Sequence, residues 1–267
     1  MAQFGFIGCG NMGGALARAM RKNIDGSDIV LTNRSLEKAE TLAAEIGCGV
    51  APDNQRIAQK ADYIFLGVKP QMMAEMLSGI RETLANRTDR FILVTMAAGL
   101  TIKRIREMAG GDYPVIRIMP NTPSSIGEGM ILYSAGSDVL PIELEIFLSA
   151  MSGAGRLSPL PEHLMDAGSA ISGCGPAFVD LFVEALADGG VACGLPRAAA
   201  LEFAAQMVAG SAKLILESGQ HPGVLKDAVC SPGGTTIQGV RALEEGGFRG
   251  TVMNAVIKAY EKNFDLK

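Results

Sequence analysis

The 267-residue sequence predicts an α/β protein in two parts: an N-terminal doubly wound parallel sheet followed by a C-terminal all-α domain. Three observations carry this. In residues 1–160, short apolar runs alternate with helical patterns, the arrangement of βαβ units around a parallel sheet. A strand, a G-x-G-x-x-G loop and a helix open the chain. From residue 161 onward no strand pattern remains, and residues 161–267 hold 17 Ala and 15 Gly.

The predicted strands are Phe4–Ile7, Ile29–Thr32, Tyr63–Val68, Phe91–Thr95 and Val115–Met119, with Met130–Tyr133 as a sixth. Between them, Asn11–Arg21, Ser35–Ile46, Gln71–Leu84 and Thr101–Met108 space apolar residues three and four apart, as one-sided helices do. Pro141–Ala154 is the helix expected to close this half. Beyond it, helical patterns cover Glu162–Ile171, Pro176–Val191, Pro196–Ser218, Pro232–Glu245 and Arg249–Phe264. Glycine and proline separate them, and Pro176, Pro196 and Pro232 fall at expected first helical positions. The domain boundary is therefore expected between residues 160 and 161.

Charge and composition exclude several classes. Lys and Arg number 24 against 28 Asp and Glu, a net −4 without the basic excess of a general nucleic-acid binder. Charge-free runs such as Ala167–Val179 and Ala228–Val240 are rich in Gly, Ser or Pro and shorter than the ~20 apolar residues of a membrane span. No membrane segment is expected. The first residues enter a strand without a basic, cleavable leader, so the expected address is the cytoplasm. The cysteines (Cys9, Cys48, Cys174, Cys193 and Cys230) are odd in number and contain no C-x-x-C pair. With only His163 and His221 besides, neither a disulfide framework nor a metal centre is expected, and the thiols read as small buried hydrophobes.

Residues 1–160 carry 16 basic and 16 acidic groups, whereas residues 161–267 carry 8 and 12. The second part is thus short of surface charge for a helical domain standing alone. Ala204, Ala205, Ala209, Gly210 and Ala212 would let helices approach closely. The expectation is an all-α dimerisation domain packed against a second copy, with a densely packed monomeric bundle as the alternative.

The glycine loop places the first part among Rossmann-type folds. Phe4–Ile7 runs into Gly8-Cys9-Gly10-Asn11-Met12-Gly13 and then a helix. Gly8 allows the tight turn, Gly10 lets backbone approach a pyrophosphate, and Gly13 lets helix pack on strand, while the N–H groups of Asn11 and Met12 face the phosphates. The second strand ends at Asn33-Arg34-Ser35, with Asn33 twenty residues after Gly13. A carboxylate there would meet a free ribose 2′-hydroxyl and repel a 2′-phosphate. Arg34, with hydrogen bonds from Asn33 and Ser35, suits the phosphate instead, so NADPH is the expected cofactor, with NADH possible. Ser35 also reads as a helix cap. Asn54, just after the cap Asp53, is placed to reach the adenosine ribose. Val68-Lys69-Pro70, Met96-Ala97-Ala98 and Asn121 follow further strand ends on the edge where open sheets bind ligands.

A second glycine cluster, Ser231-Pro232-Gly233-Gly234-Thr235-Thr236, opens a helix in the second part. Ser231 reads as its cap and Pro232 as its first residue. An ordinary cap needs neither two glycines nor two threonines. Bare N–H groups at a helix N-terminus suit a small carboxylate, with Thr235 or Thr236 on a neighbouring polar atom.

Ser231–Ile237, followed by Gly239-Val240, Leu243-Glu244 and Gly247-Phe248-Arg249, resembles the signature of the pyrroline-5-carboxylate reductases. Gly8–Gly13, Val68–Pro70, Met119–Pro123, Ser172–Ala177 and Leu186–Gly190 match the same family in order, so the resemblance spans essentially the whole chain. It implies reduction of 1-pyrroline-5-carboxylate to L-proline with NAD(P)H. It also implies a homodimer interlocked through the helical domain, assembled in many members into decamers. By resemblance, the backbone of Gly233–Thr236 holds the substrate carboxylate, Thr236 lies near the ring nitrogen as the catalytic hydroxyl, and Glu162 lies near substrate or product. Ala228 departs from the family pattern, in which an Asn often touches the cofactor.

Hydride transfer to a C=N carbon fits residues of this kind. A cyclic imine is basic enough to be protonated near neutral pH, so orientation matters more than a strong acid. Two alternatives are weighed. A β-hydroxyacid dehydrogenase needs a Lys and an Asn where this chain has Val179 and Val183, and valine accepts no proton. A non-catalytic NADPH-binding regulator would have no use for a carboxylate site at Ser231–Thr236.

Overall fold

The computed structural model describes residues 2–263. They form two compact units, one of residues 2–174 with 259–263 and one of Gly175–Lys258. The first contains, in chain order, β1 (Phe4–Ile7), α1 (Asn11–Met20), β2 (Ile29–Thr32), α2 (Leu36–Ile46), β3 (Gly49–Val50), α3 (Asn54–Lys60), β4 (Tyr63–Leu66), α4 (Met73–Ala85), β5 (Ile92–Thr95), α5 (Ile102–Ala109), β6 (Val115–Met119), β7 (Gly129–Ala135), α6 (Pro141–Met151), β8 (Gly155–Pro159) and α7 (Met165–Ser172).

The sheet order is β3-β2-β1-β4-β5-β6-β7-β8. Strands β1 to β6 are parallel, β7 runs antiparallel to β6, and β8 is parallel to β7. The reversal departs from an all-parallel sheet because residues 120–128 are too short a link for a crossover. Alternate residues of the central strands face opposite sides. Phe4, Phe6, Tyr63, Phe65, Val94 and Ile118 meet α1, α2 and α6, with Phe6 on Phe65 at 4.4 Å and Phe65 on Phe147 at 6.3 Å between ring centres. Ile7, Ile64, Leu66, Leu93 and Val115 meet α3, α4 and α5.

By packing, the first compact unit runs on to residue 174. Pro141–Ala154 does not close it: α6 stops at Met151, a 3₁₀ turn follows, and β8 adds an edge strand. Helix α7 then packs on β7. Within it, Asp166 pairs with Arg117 of β6 at 2.9 Å.

The second unit is helical throughout: α8 (Gly175–Ala192), α9 (Arg197–Ser218), α10 (Pro222–Ala228), α11 (Thr235–Glu245) and, as far as Lys258, α12 (Phe248–Lys262). The predicted end of the last helix, Phe264, lies outside the described residues, as do 265–267. Pro196 stands at the N-cap of α9 and Pro176 is the second residue of α8, each one place from the position expected. Helices α8 and α9 pack where a Cβ on Gly190 would sit 3.2 Å from that of Ala200. Yet among their described residues only Ala187, Ala200 and Ala204 are buried, and α10, α11 and α12 bury none. Leu181 and Leu216 are 67% and 68% exposed, and Phe203, Val229 and Met253 are exposed too. The stretches Glu162–Ala192 and Arg197–Ser218 are long and apolar enough, by length and composition, to cross a membrane, a property the charge-free runs did not show. Their few charges are spaced along the helix, as at Asp180, Glu184 and Asp188.

Phe65 is fully buried and stacked on two rings. Phe65→Ala is expected to cost about 3–5 kcal/mol of stability, read as a lower urea midpoint with an unchanged slope.

Candidate active site

The first unit gathers most of the expected residues on one edge. Gly8–Gly13 follow β1, Asn33–Ser35 follow β2, Val68–Pro70 follow β4, Met96–Ala98 follow β5 and Asn121 follows β6, all at carboxyl ends of parallel strands. Asn54 opens α3, which Asp53 caps by accepting the Arg56 N–H at 2.8 Å.

Backbone alone builds the phosphate cradle. Gly8 has φ +100°, and a Cβ there would lie 2.7 Å from the Gly67 carbonyl oxygen. A Cβ on Gly13 or on Gly67 would run into the Gly8 carbonyl, so three glycines fit one another where β1 and β4 part. Gly10 differs: a Cβ there would meet no atom within 4 Å. It is the N-cap of α1, and no side chain caps that helix. The N-terminus of a ten-residue helix therefore opens onto space that a pyrophosphate fits.

Asn33 acts differently from a residue reaching outward. Its Oδ1 accepts the Cys9 N–H at 3.1 Å and its Nδ2 donates to the Ser35 carbonyl at 3.0 Å, so it ties the glycine loop to the turn that carries Arg34. Ser35 is the N-cap of α2, but its side chain accepts no cap hydrogen bond. A cleft of about 430 Å³ runs past Cys9, Gly10, Asn11, Ser35, Lys38 and Thr41. Lys38, in the first turn of α2, adds a positive charge that the sequence reading missed. Its signal was a second base four residues after Arg34. Arg18, also on this cleft, is engaged by both oxygens of Glu45 at 2.6 Å.

The remaining edge residues divide. Lys69 is exposed at the start of a 3₁₀ turn that Pro70 opens, and Val68 packs partly into the core. Ala97 is buried, while Met96 and Ala98 border core clusters, so that loop offers backbone more than side chain. Asn121 uses both ends of its amide within the chain: Nδ2 donates to the Ser172 carbonyl and Oδ1 accepts the Met130 N–H, each at 3.0 Å. Glu162 is half-buried beside a second cavity of about 740 Å³ along α5. Its Oε1 accepts the Ile102 N–H at 2.6 Å, capping α5.

In the second unit the glycine cluster has its own geometry. Ser231 is not the cap. Helix α11 begins at Thr235 with Gly234 at the N-cap and no side-chain cap bond. Gly233 has φ +68°, off the helical path, so Ser231–Gly234 form a turn in which the Ser231 carbonyl accepts the Gly234 N–H at 3.0 Å. A Cβ on Gly233 would meet nothing within 4 Å. Thr235 and Thr236 are exposed in the first turn of an uncapped 11-residue helix, which suits a carboxylate.

All five cysteines are free thiols. Burial first, with Cys48 adding to it, pushes Cys9 up to about 12, and burial pushes Cys48 up to about 11. Both stay protonated at neutral pH and serve as packing groups. Of the five only Cys9 is buried: Cys48, Cys174 and Cys230 are half-buried and Cys193 is exposed, contrary to the reading of all five as buried.

Comparisons with known proteins agree with this geometry. Residues 162–266 match the family described as pyrroline-5-carboxylate reductase dimerisation, and residues 3–99 match NADP oxidoreductase coenzyme F420-dependent. The pyrroline-5-carboxylate reductase of Escherichia coli (strain K12) is 41% identical over 266 residues, covering 99% of this chain and 98% of that protein. The Glycine max enzyme is 41% identical over 264 residues, covering 98% and 95%. Among solved structures, the pyrroline carboxylate reductase of Plasmodium falciparum with NADP bound matches with a TM-score of 0.88 at 33% identity, covering 99% and 98%. That of Coxiella burnetii matches with 0.91 at 30% identity, covering 100% and 98%. The full-length relatives are reductases of this family, not hydroxyacid dehydrogenases. A Rossmann-type cradle and an uncapped, glycine-led helix start thus sit in a chain that belongs to the pyrroline-5-carboxylate reductase family of nicotinamide-dependent oxidoreductases.

Proposed function

We propose that this chain reduces the C=N bond of 1-pyrroline-5-carboxylate to give L-proline, the last step of proline biosynthesis, with NADPH preferred over NADH. The observation that carries this is the pair of uncapped helix starts: α1 beside Gly10 for a pyrophosphate, and α11 beside Gly233 and Gly234 for a carboxylate.

The nicotinamide cofactor, when bound, supplies the hydride. Gly8–Gly13 hold its pyrophosphate, Arg34, Ser35 and Lys38 its 2′-phosphate, and Asn54 its ribose. Asn33 and Asn121 hold loops, and Val68–Pro70 and Met96–Ala98 wall the cleft. The N–H groups of Gly233–Thr236 bind the substrate carboxylate, and the Thr236 hydroxyl hydrogen-bonds the ring nitrogen. A protonated imine is already electrophilic, so the chain needs to orient it rather than acidify it. Water supplies a proton where one is needed, and no metal enters the scheme.

The helical unit is proposed to pair with a second copy, and dimers to assemble further, to a decamer. Apolar side chains exposed on α8, α9 and α12 support this. Lipid is the poorer cover. Asp180, Glu184 and Asp188 recur every four residues along α8. Each costs about 2.5–3.5 kcal/mol at a bilayer centre. Free thiols suit a reducing compartment, and the cytoplasm is the proposed location.

Oxidation of NADPH followed at 340 nm, with proline as product, tests the reaction; folded protein that turns over neither NADPH nor NADH with this imine sinks it. Arg34→Asp is expected to raise the KM for NADPH by at least ~10-fold more than that for NADH, since it replaces attraction to the 2′-phosphate with repulsion. Equal losses would remove Arg34 from that contact. Thr236→Ala is expected to lower kcat/KM for the imine ~10-fold or more while the NADPH Kd stays within about twofold, the pattern of a lost contact to substrate alone.

A further inference from the structure

Strand β6 reads Val-Ile-Arg-Ile-Met, and all five residues are buried. Arg117 stands at its centre, 2% exposed, among the largest fully buried side chains. Its Nη2 lies 2.9 Å from Asp166 Oδ1 at the start of α7, and its Nη1 lies 3.6 Å from Glu162 Oε1. Its Nε has no hydrogen-bond partner among the described residues. Taking such a charge out of water is costly, and a Met or Leu of similar volume generally holds a strand in a core at least as well. The arginine therefore does something other than fill space. It faces both carboxylates and leaves a donor unsatisfied to do so.

The same Glu162 oxygen accepts the Ile102 N–H at 2.6 Å. Thr101 takes the next donors, its Oγ1 accepting the Arg104 N–H at 3.2 Å and its carbonyl the Ile105 N–H at 3.0 Å, and neither reaches the Ile102 N–H. The first N–H of α5 is thus held by Glu162, beside the Thr101 cap, and Glu162 in turn lies in ion-pair range of Arg117. Residues 96–101 run from the carboxyl end of β5 to the α5 start that Glu162 holds.

We propose that Arg117 is a positioning residue for imine reduction: acting through Glu162, it holds the α5 N-terminus, and with it the 96–101 loop, at the level the nicotinamide end of the cofactor requires. This rests on the reading of that loop as part of the cofactor edge. Asp166 keeps the guanidinium from swinging away and makes the network a three-membered one. Arg117 does not touch substrate or cofactor, and its effect passes through a backbone that does.

The test uses the full-length protein and two variants. Arg117→Met with Asp166→Asn removes the buried charges together, which avoids stranding one and spares the fold. Arg117→Lys keeps a charge but loses the fork that reaches two carboxylates, and serves if the double variant does not fold. Two readouts are taken: kcat and KM at matched folded fraction, and hydrogen exchange of a peptide spanning Ile102. The expected result is a kcat lowered ~10- to 100-fold, the cost of a small misplacement, with the NADPH KM changed less than ~3-fold. Exchange at Ile102 is expected to rise ~10-fold or more as its acceptor loosens. A variant with wild-type kcat per folded site and unchanged Ile102 exchange overturns the proposal and leaves Arg117 a structural residue only. Should the wild type itself not reduce the imine, the functional reading fails, and the exchange result alone still decides whether Arg117 holds the α5 start.

Discussion

The contact on which the first unit depends is backbone against backbone, where β1 and β4 part. The Gly67 N–H donates to the Ile7 carbonyl at 2.8 Å, and Gly8 and Gly67 then lie so close that neither tolerates a Cβ. Gly13 meets the same Gly8 carbonyl from the helix side. With these three residues bare, α1 begins directly over the end of β1 and its free N–H groups point into the crevice between diverging strands. Any side chain at this crossing would lift the helix, and the anion site would lose its donors before any charged residue was touched. In the proposed reading the charges at Arg34 and Lys38 select among cofactors, while the glycine crossing creates the place where one binds.

The second unit is built on the opposite logic. Its helices bury three alanines among the described residues and leave long apolar side chains in water. At about 25 cal/mol per Å² of apolar surface, covering such a face is a large fraction of a domain's marginal stability. Under the proposed pairing with a second copy, the stability of this unit is bound to assembly and follows protein concentration by mass action. The small residues of α9 make sense in this light. They lower side-chain entropy loss and let helices meet at short axial distances, which raises the contact area a second copy can offer.

Much of this was legible in the sequence, for identifiable reasons. Strands β1, β2, β4, β5 and β6 are apolar runs bounded by turn residues, and burial on both faces makes them so. The glycine loop was legible because its geometry admits few residues. Strand β3 is only two residues long, and β8 (Gly155-Arg156-Leu157-Ser158-Pro159) is a half-exposed edge without apolar periodicity, so both escaped notice. Helices α3 and α10, at seven residues each, are too short to show a period. Ser231 carries every local sign of a cap, yet the positive φ of Gly233 delays the helix to Thr235, and only the backbone shows that. Arg117 was passed over for another reason. A charge inside a strand has no pattern, and its partner Asp166 is 49 residues away.

The chemistry explains why a search for perturbed titrating groups would look in the wrong place here. Active sites that move protons from weak acids need carboxylates, imidazoles or amines pushed off their usual values. In this chain the thiols of Cys9 and Cys48 are displaced by burial, and Tyr63 is raised chiefly for the same reason. Tyr63 stacks on Phe4 and donates to the Glu143 carbonyl, a structural duty. A protonated cyclic imine brings its own activation, and a nicotinamide brings its own hydride. What remains for the protein is to hold two partners in one orientation, and orientation is set by backbone N–H groups and by the packing behind them. The residues proposed for such work are then mostly glycines, short hydroxylated residues and half-buried ties such as Asn33, which act through geometry and leave no mark on a titration curve.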